Sequence, residues 1–493
     1  MVGKEVSGEA LRLTAELGED GLESTQQALI DAGFLYEAEM YPQRRFAFRH
    51  PLTREVAYGT QLASQREATH AAAARAMIEL IPPERHDERA AQIADHLKQG
   101  GETLDAARWS ARAAHWAGHS RPRDAMRLWH ETMDLAGQLE VNEESDALGI
   151  ASRLAQIQFA WRVGMDLEEQ ARLLDEAEVI ADRRGDLHSI VLLKMSASGR
   201  PGLQVHTDEW LEQVEEMNRL ADQAGDPHLQ VAIRAAGAYA FLIAADFAGF
   251  DHALDELIEI ADGDLSVGAG IVLNTPLAWA EMGKGMVLRE QGELEGAETY
   301  FERALEISAE ADDPETASWI RSNQAGLMAI RGDVEGALSV ARRNCELTER
   351  IGDVFSRSLA IANLAWAQLA AEEYQDALDS IEEADQIYRE AMKIGGEMEG
   401  WRSQMRAKAL LGVGRTEEGI AEAEWAVRVS RERGLLWSLP IALLALGRAR
   451  HAAGEVGAEE ALDEALEVAE ATNAVTCVAE IEAEREAMAS AAG

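Results

Sequence analysis

Side chains suited to holding a peptide recur at a fixed spacing in the C-terminal part of the chain. Asn323 and Asn363 lie 40 residues apart, and an amide side chain can both donate and accept hydrogen bonds along an extended backbone. Trp279 and Trp319 share that 40-residue spacing, and indole rings offer wide apolar platforms. The spacing therefore predicts a peptide-binding groove. Its candidate residues are Trp319, Asn323, Asn363, Trp366, Trp401, Gln404, Lys408 and Arg448.

The same tryptophans have an alternative role, which is to pack between neighbouring helices. Leu359 occupies the position equivalent to Trp319 and Trp401 on the successive first helices. Each residue along a helix turns the side chain by about 100°, so a register error of one residue exchanges a groove position for a packing position. Spacing alone leaves both roles open.

The sequence contains only weak candidates for catalytic or metal-binding residues. His115 and His119 have the four-residue spacing of some zinc ligands, but no HExxH motif surrounds them and no third ligand is indicated. The chain contains neither a GxxxxGK[ST] phosphate loop nor a GxSxG nucleophile elbow. Cys345 and Cys477 lie far apart and form no metal-ligand pair. We therefore expect no catalytic residue, no metal site and no cofactor.

Repeated helical hairpins are the elements that must position the groove. The strings GELEGA, GDVEGA, EEYQDA and GRTEEG begin at Gly292, Gly332, Glu372 and Gly414, in steps of 40, 40 and 42 residues. Apolar or small residues at i, i+3, i+4 and i+7 follow each string, which predicts a helix with one buried face. A second set of turns pairs Gly with Asp, as at 352–353, where Gly suits a helix end and Asp the next N-cap. Each period therefore contains two helices and two turns.

Composition agrees with a helical array. The 493 residues are 47% hydrophobic and 27% charged, which excludes wholesale disorder, and they include only 10 prolines. The predicted class is all-α. We expect a winged-helix-like segment and connecting helix at 1–80, N-terminal helical hairpins at 81–198, and the repeat array at 199–490.

These repeats resemble the tetratricopeptide repeat (TPR), in the longer-period form found in bacterial signalling ATPases and regulators. The resemblance covers about residues 100–490. It implies a right-handed superhelical solenoid whose concave groove is lined by the first helix of each hairpin. The Gly-Pro stretch from Gly199 to Asp208 departs from the pattern and predicts an irregular unit there.

The first eighty residues follow another pattern. Residues 22–35 predict a short amphipathic helix, and a turn follows at Tyr41-Pro42. The alternation from Arg45 to His50 predicts a strand, and residues 51–80 predict one helix that begins at a proline. This order suggests a small winged-helix-like unit before the array.

The segment FAFRHPLTREVAY, from Phe46 to Tyr58, resembles a stretch that follows the nucleotide-binding domain of STAND-type ATPases. It is particularly similar to ATPases attached to class III adenylyl or guanylyl cyclase domains. The resemblance implies that Arg49 and His50 would contact the bound nucleotide in a parent ATPase. The alternative for His50 is a strand-end histidine that is hydrogen-bonded to backbone.

The charge of the chain constrains its partners. The formal net charge is −43, of which residues 1–135 contribute −5 and the rest −38. Nucleic acids and anionic membranes are therefore poor partners, because binding to them requires clustered Lys and Arg. The acidic residues after position 135 either form a solvated surface or attract a basic protein or peptide. No apolar run reaches the length of a membrane span, and the expected location is the cytoplasm.

Together these patterns predict a non-enzymatic protein-interaction or ligand-sensing region. It would regulate an ATPase or nucleotide cyclase domain in the same or a partner chain. Two alternatives stay open. The chain could be a fragment or homologue of an adenylyl or guanylyl cyclase-ATPase that has the parent's enzymatic activity, or it could be a passive assembly scaffold.

Overall fold

A computed structural model describes residues 5–15, 19–39, 44–118, 120–198, 206–392 and 399–492. These residues form 24 α-helices, one short 3-10 helix and three strands, and the predicted all-α class is confirmed. Contacts divide the chain into an N-terminal unit, Met1–Gly118 with Asp124–Gln156, and a repeat unit, His119–Arg123 with Ile157–Gly493. The predicted turn at Tyr41-Pro42, His119 and most of the irregular stretch after Gly199 lie outside the described residues. The predicted division at 80 and 198 stays a prediction.

Three short strands form an antiparallel sheet in the N-terminal unit. They are β1 (Glu5–Ser7), β2 (Leu35–Glu39) and β3 (Arg45–Phe48), in the order β1-β3-β2. Phe46 on the central strand is 1% exposed and anchors the sheet in the unit's core. The strand predicted from Arg45 is confirmed, whereas β1 and β2 were not predicted. The winged-helix assignment stays a prediction.

Eight helices accompany this sheet, the last of which continues into the repeat unit. They are α1 (Gly8–Thr14), α2 (Glu19–Asp31), α3 (Pro51–Gly59), α4 (Ala63–Leu80), α5 (His86–Gln99), α6 (Thr103–Ala117), α7 (Pro122–Ala136) and α8 (Glu143–Val163). The prediction of one helix over 51–80 is wrong, because α3 ends at Gly59. The Thr60 hydroxyl donates to the Ala57 carbonyl at 3.2 Å, a local bond that competes with helix continuation.

Two buried histidines face each other in the N-terminal unit. His70 Nδ1 and His96 Nδ1 are 2.9 Å apart, and Tyr58 Oη lies 3.1 Å from His70 Nε2. Burial lowers the pKa of both imidazoles, and the charge of His96 lowers the pKa of His70 further. Both rings are therefore held in the neutral form at neutral pH.

Acidification is expected to loosen this unit. Because the folded-state pKa values lie below the ordinary value of about 6.5, the neutral rings stabilise the fold above that pH, and this contribution is lost as the pH falls through the folded-state values. Hydrogen-exchange protection factors in α4 and α5 should be lower at pH 5.5 than at pH 7.5. The difference should shrink in His70→Phe, and equal wild-type protection at both pH values would contradict the assignment.

Sixteen further helices form antiparallel hairpins in the repeat unit. They are α9 (Leu167–Arg184), α10 (Leu187–Ser198), α11 (Thr207–Ala224), α12 (Pro227–Ile243), α13 (Phe247–Ala261), α14 (Pro276–Glu290), α15 (Leu294–Glu310), α16 (Pro314–Ile330), α17 (Val334–Ile351), α18 (Val354–Ala370), α19 (Tyr374–Met392), α20 (Glu399–Gly412), α21 (Thr416–Arg433), α22 (Leu439–Ala453), α23 (Ala458–Ala471) and α24 (Val475–Ala492). No helix within the described ranges is long and apolar enough to cross a bilayer.

The predicted hairpin corners are confirmed as three-residue turns. Gly292, Gly332 and Gly414 sit at the same turn position with φ near +80°, a conformation that glycine adopts without strain. The Gly-Asp turns behave as expected too, since Asp353 caps α18 by accepting from the Ser356 N–H at 2.7 Å. Glu372 occupies the glycine position of its own corner with φ +60°.

Glu372→Gly is therefore expected to stabilise the repeat unit by about 0.5 to 1 kcal/mol, because relief of left-handed strain exceeds the entropic cost of glycine. The measurement is the urea midpoint of unfolding. Glu373→Gly is the matched control and should be destabilising, since residue 373 has no left-handed backbone to relieve. A lower midpoint for Glu372→Gly would contradict the strain argument.

The repeat unit closes on itself through contacts between residues far apart in sequence. The Thr207 hydroxyl donates to the Arg433 carbonyl at 2.9 Å. The backbone N–H of Trp437 donates to the Ile243 carbonyl at 3.2 Å, and α24 packs against α14. The first helices of successive hairpins therefore surround a common interior.

Deleting residues 414–493 should leave a helical, soluble and less stable protein. Each remaining hairpin keeps its immediate neighbour, which is the main source of stability in repeat arrays. The deletion removes the closing contacts, so the unfolding midpoint should drop. Circular dichroism measures both effects, and complete loss of helical signal would indicate a single globular core instead.

A buried ion pair joins the end of α8 to the start of α16. Arg162 Nε and Nη2 lie 2.6 and 2.9 Å from the two carboxylate oxygens of Glu315, and both side chains are fully buried. Arg162 Nη2 also donates to the Val272 carbonyl at 3.2 Å. Burial raises the pKa of Glu315 to about 7 against the attraction of Arg162.

Candidate functional site

The interior of the repeat unit contains a cavity of about 450 Å³. Its wall comes mainly from the first helices of successive hairpins, α12, α14, α16, α18, α20 and α22, with α24. A volume of this size matches cavities that hold small molecules or short peptide segments. A ligand that fills the cavity would therefore contact helices of several hairpins.

Ten aromatic side chains line the cavity. Several pack edge-to-face, with ring centroids 6.2 Å apart for Trp319 with Phe355 and for Trp366 with Trp401. These contacts fix the relative orientation of the paired rings. The lining includes six of the chain's eleven tryptophans: Trp210, Trp279, Trp319, Trp366, Trp401 and Trp437.

The structure brings together every residue of the predicted groove. All eight line the cavity: Trp319, Asn323, Asn363, Trp366, Trp401, Gln404, Lys408 and Arg448. They meet because equivalent positions of successive first helices face the same interior. On α20, for example, Trp401, Gln404 and Lys408 are spaced i, i+3 and i+7 and share one helix face. Ligand binding by these residues stays a prediction.

Trp319 packs between two hairpins and also lines the cavity. It therefore has both of the roles that its position in the sequence allows. Its ring is 6% exposed, and its Nε1–H donates to the Ser356 hydroxyl at 2.8 Å, across the boundary between two hairpins. Trp366 is partly buried and lies against Gly326, where an added Cβ would come within 2.5 Å of the ring. Trp319 is therefore a structural part of the wall, and Trp366 is the more accessible platform.

Two buried amides in the cavity have unused hydrogen-bonding capacity. Asn363 is 6% exposed, and its Nδ2 donates only to the Leu359 carbonyl of its own helix. Gln404 is 8% exposed, and its amide forms no hydrogen bond with any described residue. Asn323 differs, since its Oδ1 accepts from Arg289 Nη1 at 2.9 Å. No amide atom of Asn363 or Gln404 is among the fully buried atoms that lack a partner, so the open amide groups stay accessible from the cavity and are suited to an incoming polar ligand.

The charged residues of the wall are mostly paired with one another. Arg289 donates to Glu290, with Nη2 2.8 Å from the carboxylate. Arg448 reaches Glu480 at 3.2 Å and Glu484 at 2.5 Å. Lys408 forms no ion pair with any described residue, and burial and the charge of Arg448 lower its pKa. The cavity thus contains one unpaired cation among its described lining residues.

Sequence reasoning missed part of this wall. Trp210 lies on α11 and Trp437 in the turn after α21, outside the hairpin register that identified the other positions. Met282 and Met286 continue the helix face of Trp279 at i+3 and i+7, a spacing that could have revealed them. Arg289 follows on that face and could have been found the same way.

The cysteine in the cavity wall is held in its protonated form. Cys477 lines the wall, but burial raises its pKa to about 12, so the thiol stays protonated and is a poor nucleophile. No cluster of three or more His, Cys, Asp or Glu among the described residues could hold a metal ion. His115 instead packs edge-on against the ring of Trp129, with centroids 4.7 Å apart.

Arg49 and His50 lie in the N-terminal unit and are exposed. His50 is the N-cap residue of α3, and its side chain makes no capping hydrogen bond. The alternative of a strand-end histidine that is hydrogen-bonded to backbone therefore does not describe it. A role in contacting nucleotide stays a prediction for both residues.

No family model matches the chain, and no curated protein sequence matches it. Solved structures do match. A Rap protein complexed with competence and sporulation factor has 12% sequence identity and a TM-score of 0.52, over 79% of this chain and 99% of that chain. A Rap conjugation gene regulator in complex with the Phr* peptide has 13% identity and a TM-score of 0.48, over 80% of this chain and 98% of that chain.

A STAND protein with a tetratricopeptide repeat sensor from Pyrococcus horikoshii has 11% identity and a TM-score of 0.36, over 94% of this chain and 60% of that chain. At such low identity, the match to the Rap protein with a TM-score of 0.52 concerns the fold alone. The chain is an all-α, TPR-like solenoid of helical hairpins.

Proposed function

We propose that the repeat unit is a non-enzymatic sensor that binds a short peptide in its interior cavity. The observation that carries this proposal is the pair of buried amides, Asn363 and Gln404, whose hydrogen-bonding groups are left open toward an aromatic-walled cavity. Amides of this kind can pair with a peptide backbone, and Trp366 can pack against an apolar side chain. The Rap structures complexed with a factor and with a peptide are compatible with this use of the fold.

A sensor role is favoured over a passive scaffold by the way the unit closes. The cavity wall and the closing contacts share residues, since Trp437 lines the cavity and its N–H bonds to Ile243. A ligand that contacts Trp437 would therefore change the free energy of the closed form relative to an open one. Scattering with and without peptide separates the alternatives, because a scaffold should give the same curve in both conditions.

The output of the sensor would be an ATPase or nucleotide cyclase domain in the same or a partner chain, in the cytoplasm. The resemblance of Phe46–Tyr58 to a STAND-type segment supports this assignment. Helix α3 adds a physical reason: it has no buried residue, and Leu52 and Val56 on its apolar side are 72% and 64% exposed. An exposed apolar helix face of this kind is suited to docking against another domain.

The competing hypothesis is a chain with the enzymatic activity of a cyclase-ATPase parent. Calorimetry distinguishes them, because without a phosphate loop ATP should bind no tighter than the millimolar range, about 4 kcal/mol of binding free energy. A micromolar ATP site would overturn the non-enzymatic assignment.

Asn363→Ala tests the peptide site. The expected loss of peptide affinity is about 2 kcal/mol, roughly thirtyfold, if Asn363 is a central binding residue. The melting temperature should hardly change, because its one intrahelical bond contributes little. The assay measures retention of a random pentapeptide pool by size exclusion and mass spectrometry.

Asn344→Ala is the matched control for Asn363→Ala. Asn344 is 1% exposed, and its Nδ2 donates to the Ser318 carbonyl at 2.8 Å and the Ser322 hydroxyl at 3.0 Å. Its removal should lower the melting temperature. Equal peptide retention by the wild type and Asn363→Ala would remove Asn363 from the site, and no retention by the wild type would overturn the proposal.

A further inference from the structure

We infer that the ligand of the cavity carries a carboxylate group, which Lys408 recognises; this inference rests on the proposed function. The first observation is a comparison among the lysines. Of the chain's six lysines, Lys98, Lys194, Lys284 and Lys408 lie in the described residues. The first three pair with carboxylates at nitrogen–oxygen distances of 2.8, 3.4 and 2.6 Å. Lys408 forms no such pair, and it alone of the four lines the cavity.

The absence of a partner is unexpected in this composition. The chain has 89 acidic and 46 basic residues, so a carboxylate for Lys408 would be easy to supply. Glu480 and Glu484 lie nearby, but Arg448 engages both. Burial and the charge of Arg448 lower the pKa of Lys408, and the carboxylates of Glu480, Glu484 and Glu372 oppose that shift only in part, so the ammonium is incompletely compensated. An anionic ligand group would supply the missing compensation.

The neighbours of Lys408 on α20 indicate what else the ligand presents. Gln404 and Trp401 lie four and seven residues before Lys408 on the same helix face, and Met405 lies beside them in the cavity wall. A terminal peptide residue has the groups that these positions can take: a carboxylate for Lys408, a backbone amide for Gln404, and an apolar side chain for the aromatic wall that Trp366 and Trp401 form together. The ligand class is therefore a short peptide that ends in an apolar residue with a free α-carboxylate.

This assignment differs from the basic partner that net charge predicts. The net charge of −43 belongs to the whole chain, whereas the ligand meets the local charges of the cavity. There the carboxylates of Glu290 and Glu480 are already paired with arginines. The unpaired charge is positive, so a neutral or basic peptide without a carboxylate would leave Lys408 uncompensated.

Three pentapeptide pools test the inference on the full chain. One pool has apolar residues and a free α-carboxylate, the second has the same residues and a terminal carboxamide, and the third has a carboxamide and one internal Asp or Glu. The wild type should retain the first pool about tenfold or more over the second, as expected for a charge-assisted contact. Lys408→Met should retain these two pools equally, and Lys408→Arg should keep a preference because it keeps the charge.

Lys194→Met is the control, since Lys194 is a half-exposed lysine outside the cavity wall. It should behave as the wild type. Greater retention of the third pool than of the first would keep carboxylate recognition, but it would overturn the terminal α-carboxylate and assign the group to an acidic side chain. Equal retention of all three pools by the wild type would overturn the inference while leaving the peptide site standing. Retention of none would overturn the proposed function as well, and an unchanged preference in Lys408→Met would remove Lys408 from the site.

Discussion

Replacing Arg162 with Met is expected to lower the free energy of unfolding of the repeat unit by about 3 to 5 kcal/mol, the usual cost of removing one partner of a buried ion pair. The substitution leaves the carboxylate of Glu315 fully buried without its two hydrogen bonds from Arg162. The negative charges of Asp353 and Asp313 already act against ionised Glu315. The orphaned carboxylate would therefore be strongly unfavourable.

The deficit of Arg162→Met should grow with pH. Burial raises the pKa of Glu315 to about 7 in the wild type, and the charge of Arg162 opposes that rise. Without Arg162 the folded-state pKa of Glu315 should be higher still. A carboxyl group with a raised pKa stabilises the fold when protonated, and this contribution is lost as the pH rises through the folded-state value. The deficit should thus be larger at pH 8 than at pH 6.

Urea unfolding followed by circular dichroism at these two pH values measures the effect. The matched control is the double variant Arg162→Met with Glu315→Met, which should recover much of the loss because it removes both charges and fills the space. A loss below about 1 kcal/mol at pH 8 would contradict the buried-pair argument. So would a double variant that is no more stable than the single one.

Trp319→Ala is the second substitution with a large expected effect, a loss of about 3 to 5 kcal/mol of unfolding free energy. The ring is 6% exposed and packs edge-to-face with Phe355 of the next hairpin. Its removal leaves a cavity between two repeats. It also removes the donor to the buried Ser356 hydroxyl.

Trp319→Phe should lose less, because it keeps an aromatic ring and gives up the Nε1–H bond and only part of the indole volume. Trp116→Ala is the control for an exposed tryptophan, since Trp116 is 47% exposed, and it should change stability by less than about 1 kcal/mol. Chemical denaturation of the three variants tests the order. If Trp319→Ala weakened peptide retention while leaving stability unchanged, Trp319 would be a ligand platform and not a structural part of the wall.

The repeat architecture was predictable because its signals are local. Corners such as Gly292 and Gly332 require a left-handed residue, which glycine provides, and Asp353 caps the helix that follows it. Fixed spacing then puts equivalent residues on the inner faces of successive helices. That is why Asn323 and Asn363, identified by spacing alone, line one cavity.

The features that were not predicted depend on contacts between distant residues. Arg162 and Glu315 are 153 positions apart, and no local pattern distinguishes this pair among so many charged residues. The closure of Thr207 on Arg433 is equally remote. In the N-terminal unit, β1 is only three residues long and gains its hydrogen bonds from β3, so its sequence carries little strand signal of its own.

Fluorine NMR of the protein labelled with 5-fluorotryptophan tests the central claim most directly, because the cavity is lined by six of the eleven tryptophans. Single Trp→Phe variants assign the resonances. The ligand is the pentapeptide that the wild type retains most strongly. Saturating peptide should shift the resonances of cavity residues, above all Trp366 and Trp401, while Trp109, Trp116 and Trp129 of the N-terminal unit stay unchanged. Binding that shifts the latter three and leaves the cavity tryptophans unmoved would place the site elsewhere and contradict the account.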